Sequence, residues 1–257
     1  MKRTILLATA MLAISATAMT PALAQQAGPP VAGATLEPDA AQALDRMGSW
    51  LRTLTAFQLR SEGAVERVYP DGQKLQSRLS TTYTVRQPDQ MLVDVQTDAT
   101  HRRVYYNGKT MTVAAVKAGK YTSFPVSGRI SDVLATAYER FGLDFPVQDL
   151  FRWGSPSATA ARPDSGFRVG PSEVNGRAAT QYAFRQPGVD FQIWIADGAE
   201  PMPLKMVIVN REAPAEPAYS TSFTWDLNPT LSPTLFTFQP GPNDRAIDFG
   251  AAKAALK

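Results

Sequence analysis

From position 75 to 85 apolar and polar side chains alternate, and this period of two constrains the chain more than any other stretch. Leu75, Leu79, Tyr83 and Val85 share one face, with Ser77 and Thr81 between them. Gln76, Arg78, Ser80, Thr82 and Thr84 make a wholly polar opposite face. Such a segment is a strand with one covered side. Pro70-Asp71-Gly72-Gln73 supplies the turn before it. The same reading, beginning at Phe57, predicts strands near 90–97, 102–106, 110–116, 121–124, 177–186, 190–196, 203–211 and 218–227, with a last extended piece at 235–238. Phe223, Trp225 and Leu227 oppose Ser222, Thr224 and Asp226 in one of them. Asn107-Gly108, Asn175-Gly176 and Gln186-Pro187-Gly188 read as tight turns. Residues 156–170, with Pro163, Asp164 and Gly166, read as a loop.

Helical periods are few. Ala40, Leu44, Met47, Leu51 and Leu54 form one stripe over 38–54, with Pro38 and Asp39 suited to the helix start. A second helix is expected over 130–141, from Val133, Leu134, Ala137, Tyr138 and Phe141, and a short third over 147–153. Roughly ten strands at about 4.8 Å spacing make a sheet near 50 Å wide. Three helices of about 10 Å diameter cover about 30 Å of it. The economical fold is therefore mainly β: a curled, unclosed antiparallel half-barrel with a helical plug or lid. That shape encloses either an apolar cavity or a closely packed core.

The chain opens on Met1-Lys2-Arg3, an uncharged apolar run to about residue 18, Pro21, and then Ala22-Leu23-Ala24. This is the layout of a secretory signal peptide over 1–24, too short to anchor permanently in a bilayer. Residues 25–36 read as a flexible leader, rich in Pro, Gly and Gln. Lys2 and Arg3 are the only charges in the signal segment, so the mature part carries 24 basic and 23 acidic residues. Such a balance does not point to nucleic acid, and no second apolar run reaches transmembrane length. With no cysteine there is no disulfide, thiolate metal site or lipid-bearing N-terminal cysteine, while 44% apolar residues suffice for an ordinary core.

Catalytic signatures are sparse. His101 is the only histidine, in the polar stretch Thr100-His101-Arg102-Arg103, which reads as a strand edge or turn, so the residue reads as solvated rather than catalytic. No Gly-x-Ser-x-Gly accompanies it, so a hydrolase, which would need His101 as its base, is the weakest reading. The pairs Asp94/Asp98 and Asp144/Asp149 read as solvated turns and a helix start rather than glycosidase carboxylates. One histidine and no calcium loop leave no metal site expected, and no Gly-rich phosphate loop follows a strand, so no cofactor is expected.

Several motifs occur in order: Tyr83-Thr84-Val85-Arg86-Gln87-Pro88-Asp89, then Arg102-Arg103-Val104-Tyr105-Tyr106-Asn107-Gly108-Lys109-Thr110, then 184–195 (FRQPGVDFQIWI) and 203–208 (PLKMVI). From about residue 39 to 249 the chain resembles a family of predicted periplasmic proteins with a domain-of-unknown-function label, related to the lipoprotein carriers LolA and LolB. The terminal Leu235-Phe236-Thr237-Phe238-Gln239-Pro240 extends the likeness. The resemblance implies one carrier-like domain over 37–250 in the periplasm, an unclosed barrel with helices as a lid over a cavity for acyl chains. The carriers place a lid-gating arginine directly before the proline of the first motif. Here Gln87 holds that position and Arg86 precedes it, so both are gating candidates.

The resulting expectation is a non-enzymatic periplasmic protein holding a lipid or lipoprotein acyl chain, since each buried methylene contributes about 0.8 kcal/mol. Phe191, Ile193, Met206, Ile208, Phe223, Trp225 and Tyr105 would line the wall, and Leu134, Tyr138 and Phe141 the lid. The alternative is a module that binds an envelope protein, because the same fold resembles the sensor part of a periplasmic regulator of envelope stress.

Overall fold

The computed structural model describes residues 35–143, 145–153, 162–232 and 234–248. Helix α1 spans Pro38–Thr53. Strands β1 (Ala56–Val68), β2 (Lys74–Arg86), β3 (Gln90–Thr97), β4 (His101–Tyr106), β5 (Thr110–Ala115) and β6 (Lys120–Pro125) follow as an antiparallel meander. Helices α2 (Ile130–Phe141) and α3 (Asp149–Trp153) come next. A second meander holds β7 (Ser165–Val174), β8 (Arg177–Gln186), β9 (Val189–Ala196), β10 (Pro203–Asn210) and β11 (Ala218–Asp226). The two-residue β12 (Arg245–Ala246) pairs in parallel with β6.

All twelve of these strands belong to one unclosed sheet, in the order β12-β6-β5-β4-β3-β2-β1-β11-β10-β9-β8-β7. The meanders join through β1 and β11, so β6 and β7 lie toward opposite edges. The chain between them must therefore cross a face of the sheet, and α2 and α3 lie on that crossing. β1 leans closely on β11 at Gly63, where an added Cβ would fall 2.0 Å from the Ser220 carbonyl oxygen.

One face is apolar nearly throughout. Phe57, Leu59, Tyr83, Val85, Met91, Val93, Val104, Tyr106, Met111 and Val113 are buried there with Ala40, Met47 and Leu51 of α1 and Ile130, Val133 and Leu134 of α2. α2 stops at Gly142, whose left-handed φ of 64° lets its N–H reach the Tyr138 carbonyl at 2.8 Å. Asn175 and Gly176, with φ of 51° and 79°, make the β7–β8 turn.

The opposite face is closed by the chain after β11. Phe236 is buried there, and Arg86 lies over its ring at 5.4 Å. Arg86 also donates to the Leu231 carbonyl and the Gln90 side-chain oxygen, both at 3.2 Å. Phe238 packs on Tyr105 and Tyr121 before the chain reaches β6.

Three expectations change. A strand begins at Ser165 inside the segment read as loop, where Gly166 leaves room for the Phe184 ring. The extended piece at 235–238 is a chain of turns instead, with Leu235 N–H on Ser232 O and Thr237 N–H on Thr234 O. Among the described residues strands number twelve rather than about ten.

Phe236→Ala is expected to lower the unfolding free energy by about 3–5 kcal/mol in urea titration. A loss below about 0.5 kcal/mol, the range of an ordinary surface change, would show that the terminal strap does not hold the outer face.

Candidate functional site

In β9, β10 and β11 every second side chain points to the helix-covered face. Six of the expected wall residues share it. Ile193 pairs with Met206 and Phe191 with Ile208, and Phe223 and Trp225 continue the surface on β11. Phe191, Ile193, Met206 and Phe223 are buried, while Ile208 and Trp225 are partly covered. Trp225 donates its indole N–H to the Pro203 carbonyl at 2.8 Å and meets Trp50 of α1 edge-on at 5.5 Å.

Tyr105 does not join them. Val104 and Tyr106 take the inner face of β4, so Tyr105 points outward, onto Phe238. The period of two decides its side, and its neighbour Tyr106 is the inner residue.

The lid divides in the same way. Leu134 is buried, and Phe141 lies 4.1 Å from the Phe124 ring, centre to centre. Tyr138 is 56% exposed, because the buried stripe of α2 runs through Ile130, Val133, Leu134 and Ala137. α3 places Phe151 against Phe57 and Tyr83, and Trp153 against Phe191. Polar ties to the lid include Tyr106 Oη to Gly128 O at 2.7 Å, Tyr83 Oη to Pro146 O, and Arg52 to Trp153 O at 3.2 Å. Arg86 faces outward and pins the terminal strap, and Gln87 N–H bonds the Thr55 carbonyl at 2.7 Å.

A groove of about 750 Å³ opens between α1 and β8–β9. Tyr182 and Ile195 form its apolar floor with Trp50 beside them, and Asp45, Arg46 and Asp197 stand among the polar lining. Tyr182 is the strand neighbour of Ile193, which lies fully buried beside it on the same face of the sheet. Sequence reading passed over Tyr182, Ile195 and Trp50, although the alternation in 177–186 and 190–196 already set the first two on the side of Phe184 and Ile193.

The outer face carries the one histidine. His101 is the first residue of β4, with Nε2 3.0 Å from Asp94 Oδ1. Asp94 also accepts from Arg103 Nε at 2.6 Å and Gln96 Nε2 at 3.0 Å. Partial burial works against its charge, but the bonds from Gln96, Arg103 and His101 hold its carboxyl below the usual carboxylate range. Asp94 is thus a strand residue in a charge cluster, not a turn. Asp144 falls outside the described residues. Among the described residues no group of three His, Asp or Glu side chains gathers to hold a metal ion, and no helix is long and apolar enough to cross a membrane.

A family model covers residues 40–250. The chain belongs to the family described as predicted periplasmic protein (DUF2092). Its location is accordingly the periplasm. No curated protein matches. Solved structures of similar arrangement include an uncharacterized conserved protein from Thermus thermophilus, at 13% identity and TM-score 0.48, covering 81% of this chain and 98% of that one. A LolA superfamily protein from Nitrosomonas europaea aligns at 10% identity and TM-score 0.38, covering 77% and 96%. The MucA/MucB complex of Pseudomonas aeruginosa aligns at 18% identity and TM-score 0.41, covering 81% and 63%. All three likenesses are loose.

Leu134→Ala should cost about 2–5 kcal/mol in urea unfolding, and Tyr138→Ala less than about 0.5 kcal/mol. Equal losses would mean that α2 presents a different face to the sheet.

The Asp94 cluster predicts an acid-dependent difference. A depressed folded-state pKa contributes stability above the unfolded carboxyl pKa and loses it as pH falls through the folded value. The urea midpoint of Asp94→Asn should lie below wild type at neutral pH and converge with it in acid. A gap independent of pH would contradict the cluster's role.

Proposed function

We propose that this is a non-enzymatic periplasmic protein that holds the acyl chain of a lipid or lipoprotein against the inner wall of its sheet. The mature protein begins after a cleaved signal peptide of 24 residues and carries one carrier-like domain over 37–250. The observation that supports this reading is the groove between α1 and β8–β9. Its volume of about 750 Å³ lies within the usual range for ligand pockets. Beyond Tyr182 the same face continues under cover through Ile193 and Met206, with no charged side chain on that row.

The driving force needs no catalytic group. Each methylene moved from water to the wall contributes about 0.8 kcal/mol, set against the cost of ordering the chain. α3 has only five residues, and its Phe151 and Trp153 rings fill space on the wall that an acyl chain can take over if the helix moves aside.

Binding of 1-monopalmitoylglycerol, followed by tryptophan fluorescence, tests the proposal. The wild-type protein should bind it saturably, and Ile195→Glu, on the groove floor, should weaken binding at least tenfold while the far-ultraviolet circular dichroism is unchanged. An absence of saturable binding by the wild type, or full binding by Ile195→Glu, would overturn the reading. A stoichiometric envelope protein captured without lipid would favour a protein-binding module instead.

A further inference from the structure

The inner wall is not apolar along its whole length. Ser61, Thr81 and Thr221 point into it from β1, β2 and β11, and all three are buried. Ser61 and Thr81 are strand neighbours, and Tyr219 brings a fourth hydroxyl two residues before Thr221. Ser61 Oγ lies 2.7 Å from Thr221 Oγ1 and 3.0 Å from Tyr219 Oη. Thr221 also makes a long contact of 3.4 Å to the Ser222 carbonyl.

Counting donors decides what this cluster lacks. Each hydroxyl brings one hydrogen and two lone pairs. The two bonds at Ser61 and the contact to Ser222 place three of the four hydrogens. Thr81 Oγ1 has no hydrogen-bond partner among the described residues, although its side chain is wholly buried. Leaving a buried hydroxyl unmatched costs about 1–3 kcal/mol. The cluster therefore has a spare donor and needs an acceptor.

Its position relative to the groove is set by register. Tyr182, Ile193, Met206 and Thr221 are successive cross-strand neighbours on β8, β9, β10 and β11. Three strand spacings put the groove floor about 14 Å from the hydroxyls. Met206 and Ile193 are fully buried on that row, so a hydrocarbon chain laid along it takes the place of the side chains that now cover them. On β2 residues 74–76 are exposed and steady burial begins only at Thr81, so the hydroxyls lie where the covered wall ends.

We propose that Ser61, Thr81, Thr221 and Tyr219 form the head-group subsite for an uncharged acyl ester, whose carbonyl oxygen accepts the Thr81 hydroxyl hydrogen. The tail lies along Met206 and Ile193 toward Tyr182. An ester carbonyl suits the site because the four groups that form it are neutral hydroxyls, which offer donors but no full charge. This inference rests on the acyl-binding reading above and adds the ligand's chemical class and orientation to it.

Two probes of equal chain length separate the claims: 1-monopalmitoylglycerol, an ester, and 1-O-hexadecylglycerol, the ether that lacks the carbonyl. Wild type should bind the ester about five- to tenfold more tightly, the value of one hydrogen bond. Thr81→Val should abolish that preference, leave the ether's affinity unchanged and keep the melting temperature at or above wild type. The carbonyl of carbon-13-labelled ester should resonate upfield when bound to Thr81→Val relative to wild type. If wild type binds both probes equally, or Thr81→Val keeps both the preference and the carbonyl shift, the subsite is wrong while acyl binding stands. If wild type binds neither, both claims fail. Should Thr81→Val not fold, the wild-type ester-to-ether ratio decides alone.

Discussion

The pairing of β1 with β11 determines what the rest of the molecule can do. Each meander alone is a local structure of hairpins. Joined back to back through β1 and β11, they put β6 near one edge and β7 at the other. The chain between β6 and β7 must then pass over a face, and it carries α2 and α3 with it. The chain after β11 starts mid-sheet and reaches β6 at Arg245–Ala246, and on the way it covers the other face with Phe236 and Phe238. Two unlike coverings follow: amphipathic helices on one side and a strap of turns on the other.

The two faces consequently differ in chemistry. The strap side mixes buried aromatics with Arg86 and the Asp94 cluster, and its polar groups are bound in place. The helix side is a wall of aliphatic and aromatic side chains, under few helical turns, with polar ties such as those from Tyr83, Tyr106 and Arg52. Apolar packing is non-directional, so hydrocarbon can replace a helix side chain there with little loss of specific bonding. The buried hydroxyls of Ser61, Thr81 and Thr221 at the end of that wall are its directional element.

Much of this was legible in the sequence because periodicity reports sidedness. Strict alternation in 75–85 and 222–227 placed Tyr83, Val85, Phe223 and Trp225, and a scarcity of helices argued for an unclosed sheet. Alternation also fixes relative sides, yet Tyr105 follows Val104 directly, and two adjacent tyrosines at 105 and 106 hid which one faces inward. Tyr138 fits a helical stripe by spacing, but α2 turns it outward because Ile130 and Leu134 define the buried arc. Arg86 shows what local pattern omits: its partners, Leu231 and Phe236, lie far along the chain, the first of them 145 positions away. Strand β7 was hidden by Pro163, Gly166 and Gly170, residues that mark loops in most contexts but here accommodate Phe184 and an irregular register near Gly170. The hydroxyl cluster was invisible for a similar reason. Ser61, Thr81 and Thr221 read singly as polar breaks, and only the sheet brings them together.

The central claim is that the inner wall receives an acyl chain in the cell. Native mass spectrometry of the protein isolated from its own periplasm tests this most directly. The account predicts a mass above that of the bare chain, released by mild activation as an acyl lipid. The bare chain alone, or a complex with a protein and no lipid, would contradict it.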